Sequence, residues 1–466
     1  MKKTLLFALA MLTSLSIYAQ DITGQWHGLL KVQGIQLPIV FHISESDGVY
    51  SATMDSPDQG AFGIPVATTT YEEAVVKLEI SSAAIQYTGS LDENNRMVGR
   101  FKQGGIELPL DLSREAIEKE VVRRPQEPTK PYPYYSEDVV FHNHDANVAL
   151  AGTLTLPEKE GIYPVVILIT GSGPQNRDEE IAGHKPFLVI SDYLTRKGIG
   201  VLRFDDRGVG ESTGNFATAT SADFATDVES AIAYLKTREE VDKTNIGLLG
   251  HSEGGLIAPM VASKSTDVAF LVLLAAPGIR VDELMMEQAK QIGKAMGLSE
   301  ETLLENAATN RKIYDLMLQS ESLEELEDDV TSYLSNRIKE DSSNMLPEGM
   351  NKEEFISMQV AQIASPWMRY FIAYDPAPVL EKVTCPVLAL NGEKDLQVTP
   401  KENLEGIRKA LEKGGNPNAT VKELANLNHL FQESITGSPD EYGSIEETFS
   451  TAALQEIADW IIKQVK

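Results

Sequence analysis

The chain has 466 residues, 42% of them hydrophobic and 24% charged. That is about three domains' worth of ordinary globular polypeptide, which excludes fibrous repeats and wholesale disorder. Lys plus Arg total 41 against 69 Asp plus Glu, a formal charge of −28. So acidic a surface repels phosphate backbones and argues against a nucleic-acid partner and a polybasic membrane contact.

Residues 1–19 read as a signal peptide. Lys2 and Lys3 form a positive start, residues 5–12 an apolar stretch, and Ala19 a small residue for cleavage. The apolar stretch is too short to span about 30 Å of hydrocarbon. No later stretch reaches spanning length, so an exported, periplasmic or secreted protein with no membrane span is expected. The single cysteine, Cys385, excludes an intrachain disulfide and a cysteine-rich metal site. It reads as a small buried filler.

Residues 20–112 read as a small antiparallel β domain. Apolar and polar residues alternate over 37–43 and 74–80, and turn signals recur at Ser46–Asp47–Gly48 and Glu93–Asn94–Asn95. This pattern fits a meander, barrel or half-barrel. Gly24–Gln25–Trp26 resembles the Gly-x-Trp opening of lipocalin-like barrels. Residues 113–135 change character: 113–124 is charged with helical potential, and Pro125, Pro128, Pro131 and Pro133 make a stiff linker.

From 136 to 466 strands and helices alternate. The continuous apolar run 164–170 suits a strand buried on both faces. Further strands are read at 150–156, 198–204, 245–249, 270–274 and 387–390. Phe224, Val228, Ile232 and Leu235 share one face of a helix over 221–238, with Ser221 as its N-cap. This alternation predicts an α/β fold, a mostly parallel sheet with helices on both faces. Residues 279–378 interrupt it with helical periodicity. Over 281–360 they carry 18 acids and 7 bases. An insertion of this size reads as a cap over a site, and its run from Glu321 to Asp329 as a solvated helix face.

Gly250–His251–Ser252–Glu253–Gly254–Gly255 follows the strand 245–249 and precedes an apolar segment containing Pro259. Gly-x-Ser-x-Gly at a strand–turn–helix junction is a nucleophile elbow. Gly250 and Gly254 are needed because side chains there collide with neighbouring backbone. A serine hydroxyl needs a base. Of the seven histidines only His429 lies C-terminal to Ser252, where the order nucleophile, acid, base requires it. The acid comes from the strand end Asn391–Gly392–Glu393–Lys394–Asp395, with Asp395 favoured and Glu393 as the fallback. Its carboxylate fixes the imidazole tautomer and stabilises the imidazolium.

These motifs, with Gly171–Ser172–Gly173–Pro174 and Asp206–Arg207–Gly208, resemble the α/β-hydrolase superfamily. They are most similar to bacterial two-domain carboxylesterases with an N-terminal β domain. The resemblance implies an α/β-hydrolase fold with a helical cap, a small-molecule ester substrate, no cofactor and no metal. It also implies an oxyanion hole of the Ser172 and Glu253 backbone N–H groups. The superfamily often has His-Gly at the first loop where this chain has Thr170–Gly171, which leaves the first donor open. Asp205, Asp206 and Arg207 read as loop braces rather than substrate contacts.

Two other enzyme readings compete. Dinucleotide binding fails because Gly171–Ser172–Gly173 lacks the third glycine of its fingerprint. A serine aminopeptidase shares the fold and the three residues, and needs an anion for the substrate ammonium, which the acidic cap offers. Against it, prolyl aminopeptidases of this fold tend to carry Gly-Gly-Ser-Trp-Gly at the elbow.

Overall fold

The computed structural model describes residues 21–32, 35–103, 106–119, 122–340 and 351–466, and the expected signal peptide lies outside them. The chain divides into two units between Lys119 and Glu120.

In the first unit, alternation becomes a one-sided sheet. Its strands are β1 (Gly24–Val32), β2 (Ile35–Ser46), β3 (Val49–Ser56), β4 (Ala61–Val66), β5 (Thr68–Glu72), β6 (Val75–Ile80), β7 (Ile85–Leu91), β8 (Met97–Gln103), β9 (Ile106–Pro109) and β10 (Leu112–Ser113). They are ordered β4-β3-β2-β1-β10-β8-β7-β6-β5, with β9 on β8. The order is an up-and-down meander whose first and last strands pair, leaving its open seam between β4 and β5. Trp26, Phe41, Leu78, Tyr87 and Met97 are fully buried inside it. Trp26 donates its indole N–H to Ile22 O at 2.8 Å.

The stretch expected to be helical, 113–124, has no helix among its described residues. Arg114 explains part of this. Its guanidinium lies 3.8 Å from the Trp26 ring centre and bonds the Thr23 and Asp21 carbonyls, which holds the chain extended. Nor is the proline-rich stretch that follows a bare spacer. Arg124 donates to the carbonyls of Gly183, Gly443 and Ile445 at 3.1, 2.7 and 2.5 Å. The Gln126 side chain bonds Thr448 and Phe449. Both fasten the segment to the second unit.

The second unit is built on eight strands. They are β11 (Tyr135–Asn143), β12 (Val148–Leu156), β13 (Tyr163–Ile169), β14 (Gly200–Phe204), β15 (Val241–His251), β16 (Phe270–Leu274), β17 (Val387–Gly392) and β18 (Ala419–Leu424). Their order is β11-β12-β14-β13-β15-β16-β17-β18, antiparallel at β11 and β12 and parallel from β14 to β18. The apolar runs serve both faces. Val165, Ile167 and Ile169 pack on α2 (Ser221–Thr237) and α3 (Gly254–Ala262), and Val166 and Leu168 on α1 (Pro186–Arg196). Helix α2 is capped by Thr220, not Ser221. The Asp223 carboxylate accepts from the Thr220 N–H at 2.8 Å and hydroxyl at 2.7 Å, which frees the Ser221 hydroxyl for another partner.

Between β16 and β17 the described chain is helical: α4 (Val281–Ala295), α5 (Glu300–Gln319), α6 (Leu323–Glu340), α7 (Lys352–Ile363), α8 (Pro366–Ile372) and α9 (Ala377–Leu380). Leu326, Val330, Leu334 and Ile338 recur every four residues on the buried face of α6, while Glu324, Glu325, Glu327, Asp328 and Asp329 face solvent. After β17 come α10 (Pro400–Lys413), β18 and α11 (Thr451–Gln464).

Arg207 is buried and clamps Asp227 of α2, with Nε to Oδ2 at 2.7 Å and Nη2 to Oδ1 at 2.8 Å. It thereby braces the loop after β14, as expected from the sequence. Removing one partner strands the other's charge in the interior. Asp227→Ala is therefore expected to lower the unfolding free energy by about 3–5 kcal/mol, and adding Arg207→Met to recover part of that loss. Urea unfolding of both variants measures this; an unchanged midpoint for Asp227→Ala would contradict it.

Candidate active site

Strand β15 ends in a sharp reversal, and Ser252 occupies its apex at φ 53°. This left-handed conformation is costly for a residue with a side chain. It is over-determined by its surroundings. The Ser252 N–H donates to Leu274 O of β16 at 2.8 Å. A Cβ at Gly250 would lie 2.0 Å from Gly254 O, and one at Gly254 2.2 Å from Ile169 O. Strand and helix thus meet closer than any side chain permits, and Ser252 stands out from the sheet's C-terminal end at the start of α3.

Asp395 lies just beyond β17 and is 2% exposed. Its Oδ1 accepts the Gln397 and Val398 N–H groups at 2.8 and 2.9 Å, and its Oδ2 bonds His429 Nδ1 at 2.8 Å. Glu393, the alternative acid, is exposed and accepts the Asn426 N–H instead. His429 is 4% exposed, in a loop after β18 folded around the Asn428 side chain, which accepts the N–H groups of Leu430 and Gln432. Among the described residues Ser252 Oγ makes no hydrogen bond. Such contacts often form only once substrate is bound.

The loop after β13 passes beside Ser252: a Cβ at Gly171 would lie 3.3 Å from Ser252 Cβ. Two of its amides are committed. Gly171 N–H donates to Glu179 Oε1 at 2.7 Å and Gln175 N–H to Asp206 Oδ2 at 3.0 Å. Among the described residues neither Ser172 N–H nor Glu253 N–H has a partner, and Glu253 N–H lies at the start of α3.

Several carboxyls crowd this end of the sheet, of which the sequence pattern marks only Asp206, as a loop brace. Asp206 also accepts the Thr170 hydroxyl at 2.8 Å, and burial pushes its pKa up to about 8. Glu253, the residue after Ser252, is 2% exposed, and burial raises its carboxyl. Its Oε1 accepts the Ser221 hydroxyl at 2.6 Å and the Trp367 indole N–H at 2.9 Å. Through Trp367 on α8 the helical insertion touches the residue next to Ser252. Glu179, 1% exposed, bonds His251 Nδ1 at 2.9 Å, and His251 Nε2 bonds His429 O at 3.0 Å. His251 had read only as the variable residue of Gly-x-Ser-x-Gly, and Glu179 lies in an irregular loop where no periodicity marks it. Among the described residues no group of three or more His, Cys, Asp or Glu is placed to hold a metal, and no helix is long and apolar enough to cross a membrane.

The chain is similar to several known proteins. A family model described as serine aminopeptidase, S33 (Hydrolase_4) matches residues 186–368. Esterase EstD of Thermotoga maritima is 28% identical over 346 residues, covering 71% of this chain and 70% of its own. An uncharacterized 31.7 kDa protein of Escherichia coli is 25% identical over 276 residues, covering 58% of this chain and 86% of its own. Among solved structures, the Pyrococcus furiosus esterase Pf2001 aligns at 17% identity with a TM-score of 0.42, over 71% of this chain and 93% of that one. The parallel sheet and the strained serine turn are those of an α/β-hydrolase fold, and the chain is similar to serine hydrolases of the esterase type.

Proposed function

We propose that the protein hydrolyses small or short-chain carboxylic esters through an acyl-serine intermediate, with Ser252 as nucleophile, His429 as general base and Asp395 as its orienting acid. The observation that carries this reading is the 2.8 Å bond from Asp395 to His429 Nδ1, made at the same end of the sheet as the strained Ser252. That bond leaves Nε2 as the free ring nitrogen. Oγ attacks the ester carbonyl as Nε2 takes its proton, and the carbonyl oxygen becomes an oxyanion. The uncommitted amides of Ser172 and Glu253 are its donors. Collapse of the intermediate expels the alcohol, protonated by the imidazolium. Water, deprotonated by the same nitrogen, then releases the acid. The leader-like residues 1–19 support export from the cytoplasm.

The aminopeptidase reading draws on the family description and the acidic insertion. The acids on α6 are turned to solvent. Glu253 is held toward its neutral form by burial and is engaged by Ser221 and Trp367, which does not favour it as a ready anion for an ammonium group. Amide hydrolysis also depends more heavily on protonating the leaving group. The esterase resemblance therefore weighs more.

Ser252→Ala is expected to abolish hydrolysis of p-nitrophenyl butyrate and labelling by a fluorophosphonate, and Asp395→Asn to lower kcat by about 10²–10⁴-fold. Labelling that persists in Ser252→Ala would refute the nucleophile. For the wild type, kcat/KM for a butyrate ester is expected to exceed that for Pro- or Ala-anilides by at least about 100-fold, or about 2.7 kcal/mol. Comparable rates would make the protein a peptidase.

A further inference from the structure

The Gly171, Glu179, His251 and His429 contacts form one continuous chain. Glu179 Oε1 accepts the Gly171 N–H at 2.7 Å and also meets His251 Nδ1 at 2.9 Å. His251 Nε2 meets the main-chain oxygen of His429 at 3.0 Å. The parts are deeply buried, with Glu179 1% and His251 4% exposed. Glu179 is also held at φ 51°, a conformation a glutamate adopts only when its surroundings enforce it.

Donor counting fixes one proton and favours the place of a second. A carbonyl oxygen only accepts, so His251 Nε2 carries a hydrogen. Glu179 Oε1 already accepts from Gly171, and a second bond to the same oxygen is best made by an Nδ1–H. With its hydrogen on Nδ1, His251 is an imidazolium facing the Glu179 carboxyl group, a buried pair of zero net charge. Burial opposes a charged His251, and the adjoining Glu179 outweighs it, raising the imidazole above its ordinary pKa.

The consequence reaches both ends of the reaction. Glu179 removes the Gly171 amide from the set of oxyanion donors and pins the loop just before Ser172. Asp206 pins the same loop at Gln175. Ser172 N–H, the first amide after the Gly171 anchor, lies between the two anchors together with Gly173 N–H, and of the two it directly follows the pinned Gly171. At the other end, His251 holds the main chain of His429, whose ring centre is 4.9 Å from its own. Donor and base are therefore referenced to one buried carboxylate.

Resting on the proposed role of Ser252 and His429, we propose that Glu179 and His251 are positioning residues, an ion pair that sets the oxyanion donor Ser172 N–H and the base His429 at a fixed separation around Ser252.

Glutamine at 179 cannot sustain this pattern. If its amide oxygen accepts from Gly171, it faces the lone pair of a neutral His251 Nδ1; if its amide NH₂ turns to Nδ1, it faces the Gly171 N–H. One bond is lost either way. Glu179→Gln, His251→Gln and the double variant are to be compared with the wild type on p-nitrophenyl butyrate, with active sites counted by exhaustive fluorophosphonate labelling so that misfolded protein drops out. The expected result is a fall in kcat per labelled site of about 10–100-fold in each single variant, less than the full loss of an oxyanion donor, with KM within about threefold. The double variant is expected within about threefold of the worse single, because the pair acts as one unit. Histidine-selective ¹⁵N spectra at pH 8 should show one histidine with both ring N–H groups in the wild type and none in Glu179→Gln. Unchanged kcat per labelled site, multiplicative losses in the double variant, or the absence of an imidazolium signal at pH 8 would each overturn the pair. A wild type that takes no label would instead overturn the nucleophile assignment.

Discussion

The second unit depends on one backbone constraint: a serine in left-handed conformation where a fully buried parallel strand turns into a helix. At φ 53° the chain reverses within a few residues, and α3 returns so close to β15 and β13 that Gly250 and Gly254 have no room for a Cβ. This strain persists only because rigid structure surrounds it. Strands β13 and β16 flank β15 and are buried on both faces, and the serine's own amide is tied to β16. The same sheet fixes where the partners arise. Asp395 follows the end of β17, and His429 the end of β18, which pairs with β17 in parallel register from Val387↔Ala419 to Gly392↔Leu424. Three residues remote in sequence come to the same end of the sheet because parallel strands deliver their C-terminal ends to one edge.

How much of this was legible in the sequence follows from which physical signals are local. The apolar runs of β13, β14 and β16 show because strands buried on both faces need continuous hydrophobicity. Strand β18 escaped notice. It is an edge strand with Thr420, Lys422 and Glu423 among its side chains, so no run marks it. Ser221 was misread as a cap because Thr220 and Ser221 are equally competent by type. Only the Asp223 carboxylate, folding back to the Thr220 amide, decides between them. The helix expected over 113–124 gave way to a long-range contact, Arg114 on Trp26, that no local propensity contains.

The same distinction separates the residues that the string itself marks from those that only the fold singles out. Ser252, Asp395 and His429 follow from motif, chain order and elimination, which are properties of the string. Asp206 shows in the Asp206–Arg207–Gly208 motif as a loop brace, whereas Glu179 and the Glu253 side chain are acids among 69, and nothing in spacing sets them apart. Folding does so by burying them. Each bonds side chains or amides around Ser252, its neighbour Glu253 or the loop after β13: Gly171 and His251 for Glu179, Thr170 and Gln175 for Asp206, Ser221 and Trp367 for Glu253.

Net charge is therefore a poor guide to how acidity serves this protein. The acids of α6 lie in water, where charge interactions are weak and screened, and the apolar face behind them does the packing. A carboxyl removed from water is expensive unless it is hydrogen-bonded, paired or neutral. Asp206 and Glu253 are pushed toward neutrality, whereas Glu179 stays beside an imidazole. Their surroundings, in turn, become dear to disturb, because moving Gly171, Gln175 or Trp367 strands a buried oxygen. In this way a loop and a helix that carry no catalytic side chain are held around Ser252 more firmly than apolar packing alone would hold them.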